Sequence, residues 1–274
     1  MELSSFVIVF IFGAIIGSFL NVVSLRYNTG MGVNGRSKCF SCGKTLSWRE
    51  LIPIASFAAQ KGRCTKCKSK ISWQYPVVEF FSGAVFVLIF FKYPPLSPVS
   101  AITTLLYLFI TAILIVITVY DIKHKVIPDS LSYSFAVLAF AGLFIGTGGD
   151  GVNGASFFHM PLLINLLAGP LCALPFAVLW FVSKGQWLGL GDAKLMVGIG
   201  WALGFVPAVS AVILAFWIGA VISVTWMLFT FRKIKSHYEI PFAPYLILGM
   251  YIVLFSGIVV IDLRPILAIM NISS

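Results

Sequence analysis

Two of the nine acidic residues stand where an acid is hard to keep. Asp121 closes the apolar run Leu114–Tyr120, and Asp192 lies in Gly189-Leu-Gly-Asp-Ala-Lys194 at the start of another. A carboxylate at that depth of a hydrophobic segment is costly and points to function. Two from separate segments at one depth would be able to meet. One, ionised, would take a proton from water while its protonated partner polarised a carbonyl, as in aspartyl hydrolysis. Carboxyls that close resist ionising together, so the pair holds one proton in common. Gly189 and Gly191 would let an extended substrate backbone approach Asp192, where any Cβ would obstruct it. Plainer readings compete: Asp192 as a helix cap, and Asp121 as the snorkelling partner of Lys125. Asp129, directly after Pro128, reads as the N-cap of the next helix.

The cysteines suggest a second kind of chemistry. Four of the five form Cys39-Phe-Ser-Cys42 and Cys64-Thr-Lys-Cys67, with 21 residues between the pairs. Two such knuckles suit a tetrahedral Zn(2+) held by four thiolates, a closed and therefore structural site. Gly43 follows the first knuckle, where a tight turn favours it. The surrounding Lys and Arg would offset the charge of the thiolates. Two disulfides or four free thiols are the alternatives. Cys172, alone in an apolar run, reads as a small packing residue.

The elements that must carry these groups are membrane helices. Hydrophobic residues make up 59% of the chain and charged residues 10%, where a soluble domain has about a quarter charged. That excludes a soluble globular domain, and disorder needs far lower hydrophobicity. Apolar runs fall at 4–25, 77–91, 99–120, 131–146, 161–182, 193–206, 208–230 and 243–262. A crossing needs about 20 residues, so the second and sixth runs are short, and the sixth can pair with the seventh as a hairpin around Pro207. The expected fold is an all-α polytopic bundle of about eight transmembrane helices. Residues 1–25 form the first helix, 26–76 a zinc-ribbon-like loop domain, and 77–274 the remaining core. The first run lacks a basic start and a cleavage site, and reads as a retained span.

Charge orients the bundle. Seventeen of the nineteen Lys and Arg fall on the 26–76 loop and the alternate loops that share its side, leaving Lys92 and Arg264 opposite. Basic loops stay in the cytoplasm, so both termini are expected outside. The net charge of +10 is thus chiefly a topology signal, with some attraction to anionic membrane lipid and no nucleic acid partner. A cytoplasmic loop is reduced, which argues against disulfides.

Several motifs, in order and covering most of residues 13–248, resemble the type IV prepilin peptidases. They are Gly17-Ser-Phe-Leu-Asn-Val-Val23 with Arg26, both Cys-x-x-Cys pairs, and Ile71-Ser-Trp-Gln-Tyr-Pro-Val-Val-Glu79. Asp121 through Asp129, Gly189 through Lys194 and Ile240-Pro-Phe-Ala-Pro244 complete them. The resemblance implies a Gly-x-Gly-Asp membrane aspartyl protease of the bacterial inner membrane, with Asp121 and Asp192 as its dyad. It implies prepilin or pseudopilin substrates, cut after a Gly at the cytoplasmic edge of their apolar helix. The new N-terminal residue is then methylated from S-adenosyl-L-methionine, and the cysteine loop belongs to members that methylate. Arg26–Lys38 departs from the pattern, being rich in Gly and Asn where the family has a proline-rich approach.

Glu79 is a candidate contact for S-adenosylmethionine or for the new ammonium, with a loop Lys or Arg as its plainer partner. Asn21 and Arg26 read as polar supports nearby, and Glu239 as a residue ordering the last basic loop. His124 and His237 read as solvated, and no His cluster supports a metalloprotease. Two further functions compete: a peptidase that does not methylate, and a proton-coupled transporter using the same aspartates. No inverted repeat supports the transporter.

Overall fold

The computed structural model describes residues 3–29, 35–145, 161–230 and 241–261. Glu239, His237, Arg264 and the basic loop that follows the 208–230 run lie outside the described residues. Helices α1 (Leu3–Arg26), α2 (Ala55–Ala59), α3 (Gln74–Lys92), α4 (Pro98–His124) and α5 (Asp129–Gly142) form the first half. Helices α6 (Leu163–Ser183), α7 (Leu190–Leu203), α8 (Phe205–Thr230) and α9 (Ala243–Ser256) form the second. A single 3-10 turn, Trp48–Leu51, precedes α2, and no strand forms among the described residues.

Eight of these helices match the eight apolar runs, as expected for a polytopic membrane bundle. Five of them, α1, α3, α4, α6 and α8, are long and apolar enough to cross a bilayer. The other three, α5, α7 and α9, have 14 residues each. Such a helix rises about 21 Å, short of a hydrocarbon core about 30 Å thick. Irregular backbone at that depth is tolerated when protein surrounds it. Helix α7 meets that condition, packing against α5, α6, α8 and α9. Large side chains such as Phe12, Phe91, Val221 and Phe229 are exposed on the long helices, which suits lipid.

The hairpin between α7 and α8 turns at Gly204, whose φ of +83° suits glycine. The sequence reading placed that turn at Pro207. Pro207 instead lies in the first turn of α8, where its missing N–H has no intrahelical partner to lose. In α6, Pro170 leaves the carbonyl of Leu166 without its helical donor, and Trp201 of α7 supplies one from Nε1 at 2.9 Å. Helices α1 and α3 pack through small residues: a Cβ on Gly13 would fall 2.9 Å from the Gly83 Cα, and Ser82 donates to the Gly13 carbonyl at 2.7 Å. Small residues are what close membrane packing requires. Leu114, Ile117, Phe135, Leu195, Met196, Ile199, Leu246 and Met250 form the central core.

Candidate active site and metal centre

Helix α4 is started by a capping box of Ser97 and Ser100 with Pro98 at its first position. Its last turn carries Asp121, and it stops at Lys125, which adopts a left-handed conformation and donates its N–H to the Asp121 carbonyl at 2.7 Å. The Asp121 carboxylate is buried. It receives the N–H of Ala243, the first residue of α9. First-turn N–H groups have no helical acceptor, so the α9 terminus is a natural donor to an anion. Atom Oδ2 of Asp121 is buried with no hydrogen-bond partner among the described residues.

Asp192 is also buried, at the third position of α7. Its side chain reaches back to the N–H of Gly189, the N-cap residue, as the acidic member of a capping box does. The cap reading is therefore right in kind, although Asp192 is inside the helix and not its N-cap. Asp121 and Asp192 are close enough to act on each other's charge. Two buried carboxylates on chain segments far apart in sequence thus lie within range of each other's charge, one at the N-terminus of α7 and one at that of α9.

Asp129 does not cap α5. Pro128 is the N-cap, no side chain caps it, and Asp129 is the first helical residue. Its carboxylate instead accepts from Lys194 Nζ at 2.8 Å. The sequence missed this pair. Its one signal was the position of Lys194, two residues past Asp192 in the same motif.

The cysteine knuckles are near copies of one another. In the first, Cys39 N–H donates to Lys44 O and Gly43 N–H to Cys39 O, at 2.8 and 2.9 Å. In the second, Cys64 N–H donates to Ser69 O and Lys68 N–H to Cys64 O, at 2.9 and 3.0 Å. Gly43 and Lys68, in equivalent places, have φ of +68° and +59°. Lys44 Nζ reaches both Glu50 at 2.7 Å and Thr65 at 2.6 Å, joining the two halves.

The four Sγ atoms lie within 4.8 Å of one another. Cys39 and Cys67 are 3.8 Å apart, close to the edge of about 3.8 Å that a tetrahedron of Zn–S bonds near 2.3 Å would have. All four are free thiols. The N–H groups of Cys42 and then Ser41 pull Cys39 down to about 6. The N–H of Lys44 favours the Cys42 thiolate as well. Desolvation and its three sulfur neighbours outweigh that and push Cys42 up to about 11. Four thiolates so close call for a cation, and the soft donor set fits zinc.

Glu79 has partners of its own. Buried in α3, it accepts the N–H of Ile54 at 2.7 Å and a hydroxyl from Ser18. Ile54 has φ +61° and ψ −53°, and Ala55 N–H closes onto Pro53 O at 2.5 Å around it. This is a γ-turn of the rare, strained hand on a β-branched residue. No loop Lys or Arg supplies these contacts. Asn21 accepts from Gln74 at 3.3 Å and donates to Tyr75 O at 3.4 Å, a helix-to-helix support of the kind expected.

Comparison with known proteins now adds to the geometry. Residues 11–93 match the bacterial peptidase A24 N-terminal domain, and residues 108–224 match the type IV leader peptidase family. A prepilin leader peptidase/N-methyltransferase of Bacillus subtilis (strain 168) is 31% identical over 244 residues, covering 88% of this chain and 90% of that protein. The chain belongs to the type IV leader peptidase family. Proteins of the same description from Aeromonas salmonicida (strain A449) and Myxococcus xanthus (strain DK1622) are 27% and 29% identical. They cover 92% and 82% of this chain, and 91% and 64% of their own lengths are matched. No solved structure matches. The two family matches divide the chain as its chemistry does. The knuckles and Glu79 fall in the first match, and both aspartates fall in the second.

Proposed function

We propose that this leader peptidase family member cleaves the leader from type IV prepilins or pseudopilins and then methylates the new N-terminus from S-adenosylmethionine. Asp121 and Asp192 are the catalytic pair. The observation that carries this reading is that two buried carboxylates from separate helices lie within range of each other's charge, one with an oxygen that has no partner among the described residues. The ionised member takes a proton from water, whose oxygen adds to the scissile carbonyl. The protonated member donates to the carbonyl oxygen as it becomes tetrahedral. Collapse breaks the C–N bond, and the departing nitrogen receives a proton from the pair. The N–H groups of Ala243 and Gly189 hold the two carboxylates in place.

The enzyme lies in the bacterial inner membrane, with its basic loops and the cysteine unit of residues 26–76 in the cytoplasm and both termini outside. A prepilin is cut where its apolar helix enters the cytoplasm, which matches two acids at one end of the bundle. Cys39, Cys42, Cys64 and Cys67 would hold a structural zinc, whose contribution is to fold a small unit with little core of its own.

The methyl step needs the new amine to lose a proton, attack the sulfonium-bound methyl and release the sulfide. Glu79 was the expected contact for that donor or for the ammonium. Ile54 and Ser18 engage two of the about four acceptor sites of its carboxylate, which ties the cysteine unit to α3 and leaves acceptor capacity for a cationic group. The test is incubation of the purified protein with a synthetic prepilin N-terminal peptide, with and without S-adenosylmethionine. The expected products are cleavage after the Gly in both cases and one added methyl only with the donor. Cleavage elsewhere or none overturns the peptidase reading, and cleavage without methylation overturns the second activity.

A further inference from the structure

The short connector from α4 to α5 touches both halves of the carboxylate pair. Asp121 is in the last turn of α4, and Lys125 through Pro128 lead from it to α5. Within the connector Ile127 is buried and faces the first turn of α7: a Cβ on Gly191 would lie 2.9 Å from the Ile127 Cβ. Gly191 immediately precedes Asp192. Only a residue without a side chain lets α7 approach the connector this closely.

The same contact is closed on its outer side by charge. Lys194 Nζ donates to Asp129 Oδ1 at 2.8 Å and lies 5.4 Å over the ring of Tyr133 on α5. Residues two apart on a helix do not face each other, so Lys194 is directed at α5 while Asp192 is directed inward. Next to Asp129, the hydroxyl of Ser130 pairs with that of Tyr27, just beyond α1. The start of α5 therefore joins three helix ends around the site.

Stability is a weak reason for such a pair. The Asp129 side chain is 63% exposed and that of Lys194 21%, and ion pairs at a wet surface add little to folding. Placement is the better reason, because the pair ties the turn bearing Asp192 to the segment leaving Asp121. Resting on the catalytic reading above, we propose that Asp129 and Lys194 are positioning residues whose ion pair, outside the Ile127–Gly191 contact, sets the spacing of the Asp121 and Asp192 carboxylates.

The test uses the full-length protein and a synthetic prepilin N-terminal peptide, with kcat, KM and melting temperature measured for each variant. Lys194→Ala and Asp129→Ala are each expected to lower kcat about ten- to hundredfold, the scale of a small misplacement of reacting groups. KM and melting temperature should change little. The exchanged pair, Asp129→Lys with Lys194→Asp, should recover most of the lost rate, and Lys194→Arg should keep it. If Lys194→Ala does not purify folded, Lys194→Met keeps the stem over Tyr133 and carries the same expectation. Single variants at the wild-type kcat, a loss confined to KM, or an exchanged pair no faster than the slower single variant would each overturn the proposal. Asp121→Asn, assayed alongside, separates the two ideas. If it cleaves, the catalytic reading has failed. If it is inactive while Lys194→Ala is fully active, only the positioning role has failed.

Discussion

In the cysteine unit, Glu50 accepts from Thr65 at 2.5 Å, from Lys44 at 2.7 Å and from Ser47 at 2.9 and 3.0 Å. In the carboxylate pair, Asp121 keeps a buried oxygen with no partner among the described residues. Both are acids on the same chain, and they are treated in opposite ways. A buried polar atom left unpaired costs stability, so natural structures keep few of them, often where chemistry is done. The cysteine unit has little apolar core and relies on a saturated polar network with a metal-ready centre. The carboxylate pair is buried beside the core and leaves a polar atom open. Polar saturation builds the one, and its withholding equips the other.

Asp192→Asn should remove cleavage by about 10²–10⁴-fold or more, the scale of a lost general acid–base group, with the protein still folded by circular dichroism. In the cysteine unit the corresponding blow is to a thiol. Cys64→Ser should release the metal, measured by elemental analysis, and expose the unit to proteolysis between residues 35 and 72. A purified wild-type protein free of metal would remove that assignment.

Gly191→Ala probes the packing beside Asp192. Its Cβ would meet Ile127 at 2.9 Å, and overpacking of this kind costs about 1–3 kcal/mol, measurable as a lower melting temperature together with slower cleavage. Unchanged values of both would show that Ile127 moves aside freely.

Glu50→Gln is expected to have the smallest effect, about 1 kcal/mol for a part-buried pair whose lysine water still reaches. Lys44 first, then Ser47 and Thr65, hold the Glu50 carboxyl down to about 2 from its ordinary 4.5. Its contribution is complete above the ordinary value and is lost as pH falls from there through about 2. Wild-type and variant protein should thus differ in protease resistance of the loop at neutral pH and converge in acid. A gap that widens in acid would contradict this.

What the sequence made legible was short-range. The knuckles are written in two four-residue motifs, and the aspartates were visible as acids out of place in apolar runs. The membrane bundle followed from composition and run length. The features it hid depend on distant partners. Lys194 and Asp129 are 65 residues apart, so Asp129 read as a cap because the residue before it is a proline. Glu79 meets Ile54 across 25 residues, through a backbone conformation that an isoleucine rarely takes. Pro207 looked like the hairpin turn because proline is conspicuous, while Gly204 with its positive φ makes the bend. Of the three short helices, α5 and α9 were drawn too long because apolar residues run on beyond them, and α7 was drawn at its true length but three residues late.

Whether Asp121 and Asp192 act as one unit is decided by a double-mutant cycle. Single-turnover cleavage of a prepilin N-terminal peptide would be measured for Asp121→Asn, Asp192→Asn and the double variant. Groups that share one catalytic task are not additive, so each single variant should be as slow as the double. A double variant slower than either single by the product of their separate losses would show two independent acids, and the shared site would be contradicted.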